Sequence, residues 1–464
     1  MAEEIEVDYL VVGAGAMGMA FVDGLLTETD ATIAIVDRRA RPGGHWNDSY
    51  PHVRLHQPSA FYGVNSRQLG SNKIDQVGHN AGLYELASGT EVVTYFDQVM
   101  HQDFLPSGRV HYLPLSDYEG QGLVRSLATG AHTRVRYRTE VDASYMNVTV
   151  PSMRPPLYEV ADSVRCVAPN DLAVPGILPA ENYVVVGGGK TAMDACLWML
   201  ERGIEPDKIT WVRPRDSWCL NRRFIQPGQE FFATSVGSFV EQIEVAAAAT
   251  DVDDLFARLE AAGLLLRIDR SVQPTMYRCA TVTESELAEL ATITNVIRLG
   301  RVQEITESEI VLERGTVPTS GQTLHIDCTA DGLERRPIVP VFSEGKITLQ
   351  TVRTCQQVFS AAFIAHVEAS YVDPVVKNEL TTVIPHPNTD LDWMRVTMSN
   401  ALNSARWREN EELAAWLQAS RLDAFSELRT LEADADEFAT SLLQRAADAA
   451  LPALGNLQRF LAES

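Results

Sequence analysis

The 464-residue sequence predicts an α/β chain built from two nested strand–glycine turn–helix units and a helical tail. Three observations carry that expectation. The segment "YLVVGAGAMGMAFVDGLL" near the start and "YVVVGGGKTAMDACLWMLERG" from residue 183 share one grammar: an apolar strand, a glycine-rich turn, then a helix. Directly behind the first unit lies "RRARPGGHWNDSYPHVRLHQPSAFYG", residues 38–63, which has the period of neither helix nor strand. Past residue 389 the composition turns to Ala- and Leu-rich helical patterns.

In the first unit, residues 7–12 read as a buried parallel strand leading into Gly13, Gly15 and Gly18, with a helical pattern through Leu26. Gly13 permits the tight turn, Gly15 allows close approach of a pyrophosphate, and Gly18 lets the helix pack on the strand. Free N–H groups and the positive dipole end then face the phosphates. A second strand, "TIAIVD", ends at Asp37, nineteen residues past Gly18, where a carboxylate can take a ribose diol. Asp37 and its neighbour Arg38 are assigned to that cofactor.

The second unit runs through Gly187, Gly189 and Ala192 to a helix stopping near Gly203. A P-loop would need glycine where Val184 stands, so "GGGKT" is not one. The following strand, "ITWV", delivers Arg213-Pro214-Arg215 in place of an acid. Two guanidinium groups can clamp a 2′-phosphate that a carboxylate would repel. Lys190, one of five lysines in the chain, stands in this turn with Thr191; it is either a pyrophosphate contact or a solvated charge. An acid-terminated cradle suits FAD and an arginine-terminated one suits NADPH. The pair describes two Rossmann-like dinucleotide-binding domains in a flavoprotein reduced by a nicotinamide.

Composition narrows the partners. A net charge of −23 argues against nucleic-acid and anionic-membrane binding, which need clustered Lys and Arg. The N-terminus lacks the signature of a signal peptide, and no apolar run reaches the length of a membrane span. The six cysteines are scattered without a C-x-x-C, so reduced thiols in a cytoplasmic protein are expected and a dithiol redox centre is not. The ten histidines form no metal-ligand spacing, and no metal site is expected.

The run Gly43, Gly44, Trp46, Tyr50, Pro51, Arg54, Pro58, Ser59 and Tyr62 resembles the FAD-side signature of the class B flavoprotein monooxygenases, which comprise the flavin-containing and Baeyer–Villiger monooxygenases. The resemblance covers about residues 5–370. It implies that Gly44 and Trp46 pass along the FAD pyrophosphate and ribityl chain, and that Arg54 to Ser59 lie beside the flavin ring. It also places Asp331, in "LHIDCTADG", near the flavin, and "TWVRPRDSW" on the 2′-phosphate. A loop facing a flavin exchanges backbone pairing for cofactor contacts, which accounts for its missing period.

The sequence departs from that family where chemistry is concerned. The F-x-G-x-x-x-H fingerprint expected before the second glycine turn is replaced by "VADSVRCVAPNDLAVPGILPAEN". His56 stands where the Baeyer–Villiger signature has Asp, followed by Gln57. His56 could carry a proton near neutrality and stabilise an anionic flavin, or be a hydrogen-bonded structural residue. Gln57 could hold a flavin edge or brace the backbone. Arg278, in "PTMYRCATV", is a loose match to the arginine that supports the oxygenated flavin, or an ordinary ion-pair arginine.

The expected organisation is an FAD domain of residues 1–170 and 326–388, an inserted NADPH domain of 171–325, and a helical tail of 389–464 packed on the FAD domain. A dimer contact or substrate lid is the alternative use of the tail. Its candidate helix faces are Phe425, Leu428 and Leu431, then Phe438, Leu442 and Leu443. The function implied is an NADPH-using FAD monooxygenase acting through a C4a-(hydro)peroxyflavin on a small organic substrate and O2. The rivals are an NAD(P)H oxidase or dehydrogenase without oxygen insertion, and a redox-sensing flavoprotein without turnover.

Overall fold

The computed structural model describes residues 3–330, 332–424, 426 and 437–464. Asp331, and with it Phe425, Leu428 and Leu431, lie outside the described residues.

The first unit forms as its sequence dictates. The β-branched strand Tyr9–Val12 is central in a six-stranded sheet, with Ile33–Val36 and Thr139–Asp142 parallel on either side. Beyond them lie Val110–Leu113 on one edge and Lys346–Thr348 with Phe342–Ser343 on the other. The helix Ala16–Glu28 buries Phe21, Val22 and Leu25 against this sheet. The helix Gln357–Ser370 crosses beside it, and small residues set the approach: a Cβ on Gly24 would meet Ala365 Cβ at 2.6 Å.

The second unit is inserted. Its five-stranded sheet is wholly parallel, in the order Cys166–Val167, Thr323–Asp327, Asn182–Val186, Ile209–Val212, Val296–Ile297. This corrects one boundary. "TLHID" was expected to resume the first sheet at about residue 326, yet Thr323–Asp327 pairs with Asn182–Val186. The first sheet resumes at Phe342. All five residues of Thr323–Asp327 are buried, so the strand suits the centre of either sheet and apolarity does not choose between them. A small sheet in the insertion pairs Ser217–Asn221 with Met276–Val282.

The tail divides between the two parts, which corrects its assignment to the first alone. The helix Leu391–Arg408 brings Trp407 to 4.4 Å from Phe363, ring to ring, in the core of the first domain. The last helix, Glu437–Glu463, lies instead on Phe232–Ala248 of the insertion. There Asn456 Nδ2 donates to the carbonyls of Ala246, Ala247 and Ala249, and Arg445 pairs with Glu244 at 2.6 Å. On its inner face Leu442 is buried and Leu443 half-buried, whereas Phe438 is 48% exposed.

A second correction concerns the cysteines. Cys279 and Cys355 form a disulfide across 76 residues, with a Cα–Cα distance of 6.4 Å. The expectation of uniformly reduced thiols fails because residues distant in sequence meet across the domain boundary, which spacing alone does not reveal. Among the described residues no helix is long and apolar enough to cross a membrane.

Candidate functional site

The two glycine turns share a construction and differ in surroundings. Both open a helix whose N-cap is glycine, Gly15 in one and Gly189 in the other, with no side-chain cap and no acid in the first turn. Among the described residues six other α-helices are capped by side chains, those of Ser88, Asp251, Thr283, Asp373, Asp390 and Asn410. An uncapped helix start leaves N–H groups for a ligand, and phosphate is the ligand such an end suits.

At the first turn Gly13 has φ 109°, open only to glycine without strain, and a Cβ on Gly18 would overlap the Gly13 carbonyl oxygen. The irregular loop roofs this turn. Gly43 N donates to Ala14 O at 2.8 Å, and a Cβ on Gly44 would lie 2.9 Å from Gly15 Cα. Asp37, at the end of the second strand, is 6% exposed and accepts from Ala14 N and Arg39 N, both at 2.7 Å. Burial raises its carboxyl above the usual range, and those two amides oppose the rise. Arg38 turns away from the turn and pairs with Asp117 on the surface.

Within the loop, Trp46 Nε1 donates to Tyr62 Oη at 2.7 Å. Ser59 Oγ donates to Glu85 O and accepts from Ala87 N, which pins the loop to residues 85–87. Arg54 is exposed and reaches Leu86 O at 3.2 Å. Gln57 is half-buried beside His56.

At the second turn a Cβ on Gly189 meets nothing within 4 Å, so the turn is open at this position. Lys190 begins the helix and pairs with Asp194 one turn on; both are mostly buried, which excludes the solvated-charge reading. Thr191 is half-buried and Ala192 fully buried where the first cradle has Gly18. Gly187 carries φ 134° under the Cys328 carbonyl.

Beyond the next strand the arginines separate. Arg213 is 3% exposed, lies over the Trp211 ring and faces Asp216 at 3.4 Å, while its Nε and Nη1 have no hydrogen-bond partner. A buried guanidinium with unspent donors suits an anion. Arg298, at the end of Val296–Ile297, joins it by holding Asp216 and Asp269, each at 2.8 Å. The sequence reading missed Arg298; the parallel register that sets Val212 against Ile297 brings it to Arg213. Arg215 leaves this cluster. Its Nη2 donates to Asn388 Oδ1 at 2.9 Å, and Arg278 Nη2 donates to the same oxygen at 2.6 Å. Arg215 and Arg278 are thus brought together by Asn388, the residue before the tail.

His56 lies elsewhere, at the seam of the two domains. Its carbonyl accepts from Arg222 Nε at 3.1 Å, and its Nδ1 is buried without a partner. Burial, with help from Lys190, lowers its pKa to about 4, so it is neutral near pH 7. Of the two readings left open for His56, burial speaks against the one in which it carries a proton near neutrality. Arg222, also missed, is 1% exposed and fully used: it bonds His56 O, Asn80 Oδ1, Thr281 O and Glu286. Nearby, Tyr50 Oη donates to Asp194 Oδ2 at 2.7 Å and His52 stacks on Trp198 at 5.1 Å. One loop therefore touches both cradles, its glycines on the first and residues 50–56 on the helix of the second.

Comparison with known proteins places this architecture. The ε-caprolactone-bound structure of a cyclohexanone monooxygenase matches 96% of this chain and 98% of its own, at TM-score 0.50 and 13% identity. The fold is that of the two-domain flavoprotein monooxygenases. In sequence, the protein Rv2000 of Mycobacterium tuberculosis and Mb2023 of Mycobacterium bovis are each 54% identical over 427 residues, covering 92% of this chain and 79% of theirs. The chain belongs to the Rv2000 family. A ferredoxin–NADP reductase of Salinispora tropica is 33% identical over 94 residues, 20% of this chain. No protein-family profile matches the chain.

Proposed function

We propose that the protein is an FAD-containing, NADPH-dependent oxidoreductase of monooxygenase type, acting on a small organic substrate with O2. The single observation that carries this reading is the loop shared by the two cradles. Groups held in the first and second turns would meet across residues 50–56, as hydride transfer between two dinucleotides requires. The residues fit the groups: uncapped helix starts face both sites, a buried acid ends one, and a buried arginine whose Nε has no hydrogen-bond partner ends the other.

When bound, the two cofactors supply hydride transfer and activation of oxygen. The chain supplies the rest. Gly15 and Gly44 give the first cofactor close backbone approach, and Asp37 takes its ribose. Lys190 and Thr191 stand at the second pyrophosphate, with Arg213 and Arg298 at the 2′-phosphate. Trp46, Tyr62 and Ser59 hold the loop that excludes water. His56 is a neutral group beside the reacting centre, able to accept or donate a hydrogen bond without adding charge. NADPH is an intracellular reductant, which supports a cytoplasmic setting. The partial likeness to a ferredoxin–NADP reductase, a protein named for NADP, supports the nicotinamide.

The test is a balance of NADPH, oxygen and peroxide with a panel of sulfides, amines and ketones. Oxygen atoms recovered in product, at one per NADPH, support the reading. Stoichiometric peroxide with every compound would make the protein an oxidase, the reading favoured by the missing Phe and His fingerprint. Consumption no greater than the flavin present would make it a sensor.

A further inference from the structure

The Cys279–Cys355 bond joins the two halves of the molecule. Cys279 lies in the inserted domain, on the strand Met276–Val282. Cys355 lies in the outer domain, just before the helix Gln357–Ser370. The strand is built to present its cysteine. Opposite Ser217–Asn221 the pairing jumps from Trp218↔Tyr277 to Leu220↔Thr281, so residues 278–280 bulge out of the ladder. Both cysteines have left-handed backbones, φ 57° for Cys279 and 60° for Cys355. Non-glycine residues hold that conformation only where the surroundings impose it.

The remaining contacts across this seam are non-covalent: hydrogen bonds such as Tyr50 to Asp194, Arg222 to the His56 carbonyl and Tyr84 N to Gln226, and an apolar cluster in which Ile384, Trp393 and Met394 pack with Trp218, Phe256 and Tyr277. Such interfaces allow relative motion of domains unless something further ties them. The other four cysteines offer no rival. Burial pushes the thiol pKa of Cys166 to about 11 and of Cys219 to about 12, and raises Cys196 and Cys328 further. Thiols raised that far are inert, and all of them but the part-exposed Cys166 are buried as well. Cys355 is part-exposed while Cys279 is 4% exposed. A reagent therefore reaches the Cys355 sulfur first.

We propose that Cys279–Cys355 is a thiol–disulfide modification site that locks the inserted domain onto the outer one, and that its reactant is a cellular dithiol. The inference rests on the NADPH reading, because a disulfide in a reducing compartment is transient, catalytic or redox-sensing rather than a permanent brace. The reaction balances as follows. A thiolate of the dithiol attacks Cys355 Sγ, and the sulfur–sulfur bond breaks with Cys279 leaving as thiolate. The second thiol of the reagent then attacks the mixed disulfide and releases Cys355. Two electrons and two protons pass to the protein, and the reagent ends as its own disulfide. The strand that carries Cys279 also carries Thr281, whose carbonyl accepts from Arg222, and Arg222 holds the His56 carbonyl, so opening the bond loosens the seam between residues 50–56 and 190–198.

The experiment uses the purified full-length holoprotein, oxidised and after dithiothreitol treatment, beside Cys355→Ser and Cys279→Ser/Cys355→Ser. Differential alkylation with mass spectrometry reports the bond, hydrogen exchange at 50–56 and 190–198 reports the seam, and flavin reduction reports nucleotide access. The expected result is a linked 279/355 peptide in the oxidised protein only. Exchange at the seam should rise several-fold on reduction, and KM for NADPH should shift about 3- to 10-fold. The double variant should behave as the reduced protein and ignore dithiothreitol. A bond never found without reductant, or opened with exchange unchanged, overturns the proposal. Flavin that NADPH reduces in neither state would remove the nicotinamide reading while the exchange result still stands or falls alone.

Discussion

The two glycine cradles differ most in what lies over them. The first is roofed: Gly44 sits against Gly15, Gly43 N is bonded to Ala14 O, and Asp37 is folded onto the turn. The second is bare at Gly189, with its charges gathered in the pairs Lys190–Asp194 and Arg213–Asp216. A roofed site suits a resident group that never exchanges, and an open one with paired charges suits a nucleotide that comes and goes. Under the proposed function the same turn chemistry would serve a prosthetic group and a diffusing reductant, depending on the loop laid across it.

The sharpest break in that comparison is the third position of each turn. Gly18→Ala would drive a Cβ into the Gly13 carbonyl, at a cost of about 2–4 kcal/mol, and the purified variant should carry no flavin. Ala192→Gly in the second cradle should retain flavin and lose only about 1–2 kcal/mol, from helix propensity and the missing methyl at this buried position. The ratio of visible to ultraviolet absorbance and a melting curve check both.

Arg222→Ala removes a buried ion that joins the cradles and leaves Glu286 unpaired. A loss of about 3 kcal/mol in urea unfolding is expected. Arg213→Ala should raise KM for NADPH about 10- to 100-fold, the worth of a charge-assisted hydrogen bond, and leave KM for NADH unchanged. Steady-state kinetics with both nucleotides decide it.

A smaller effect concerns pH. His45, His52, His56 and His386 are each lowered to about 4, burial being the first cause. Unfolded histidine takes its proton near pH 6.5, so between about 4 and 6.5 the unfolded chain binds more protons. Stability is therefore full above pH 6.5 and falls as pH drops through that window. His56→Gln should flatten the fall in melting temperature between pH 6.5 and 4.5, and kcat of the parent should show no His56 titration between pH 6 and 8.

Much of this was legible in the sequence because local chemistry decides it. Both turns, their helices Ala16–Glu28 and Lys190–Glu201, and the strand Ile209–Val212 follow from apolar runs and glycine spacing. The helix Gln357–Ser370 likewise matches the run from Gln357 to Ala369. What escaped depends on partners far along the chain. Thr323–Asp327 is equally apolar for either sheet, Arg298 gains meaning only beside Arg213, and Cys279 meets Cys355 only once the insertion docks. The role of His56 stayed open between a charged and a structural reading because a sequence does not announce a side chain's burial. Asp194 was within reach, since it stands one helical turn from Lys190 on the same face.

The central claim is that two distinct dinucleotides occupy these turns, and anaerobic titration of the purified yellow protein tests it most directly. The account predicts one FAD per chain whose visible absorbance bleaches with stoichiometric NADPH, and with NADH only at concentrations at least about tenfold higher. A colourless protein that takes up no added FAD, or equal bleaching by the two nucleotides, would contradict it.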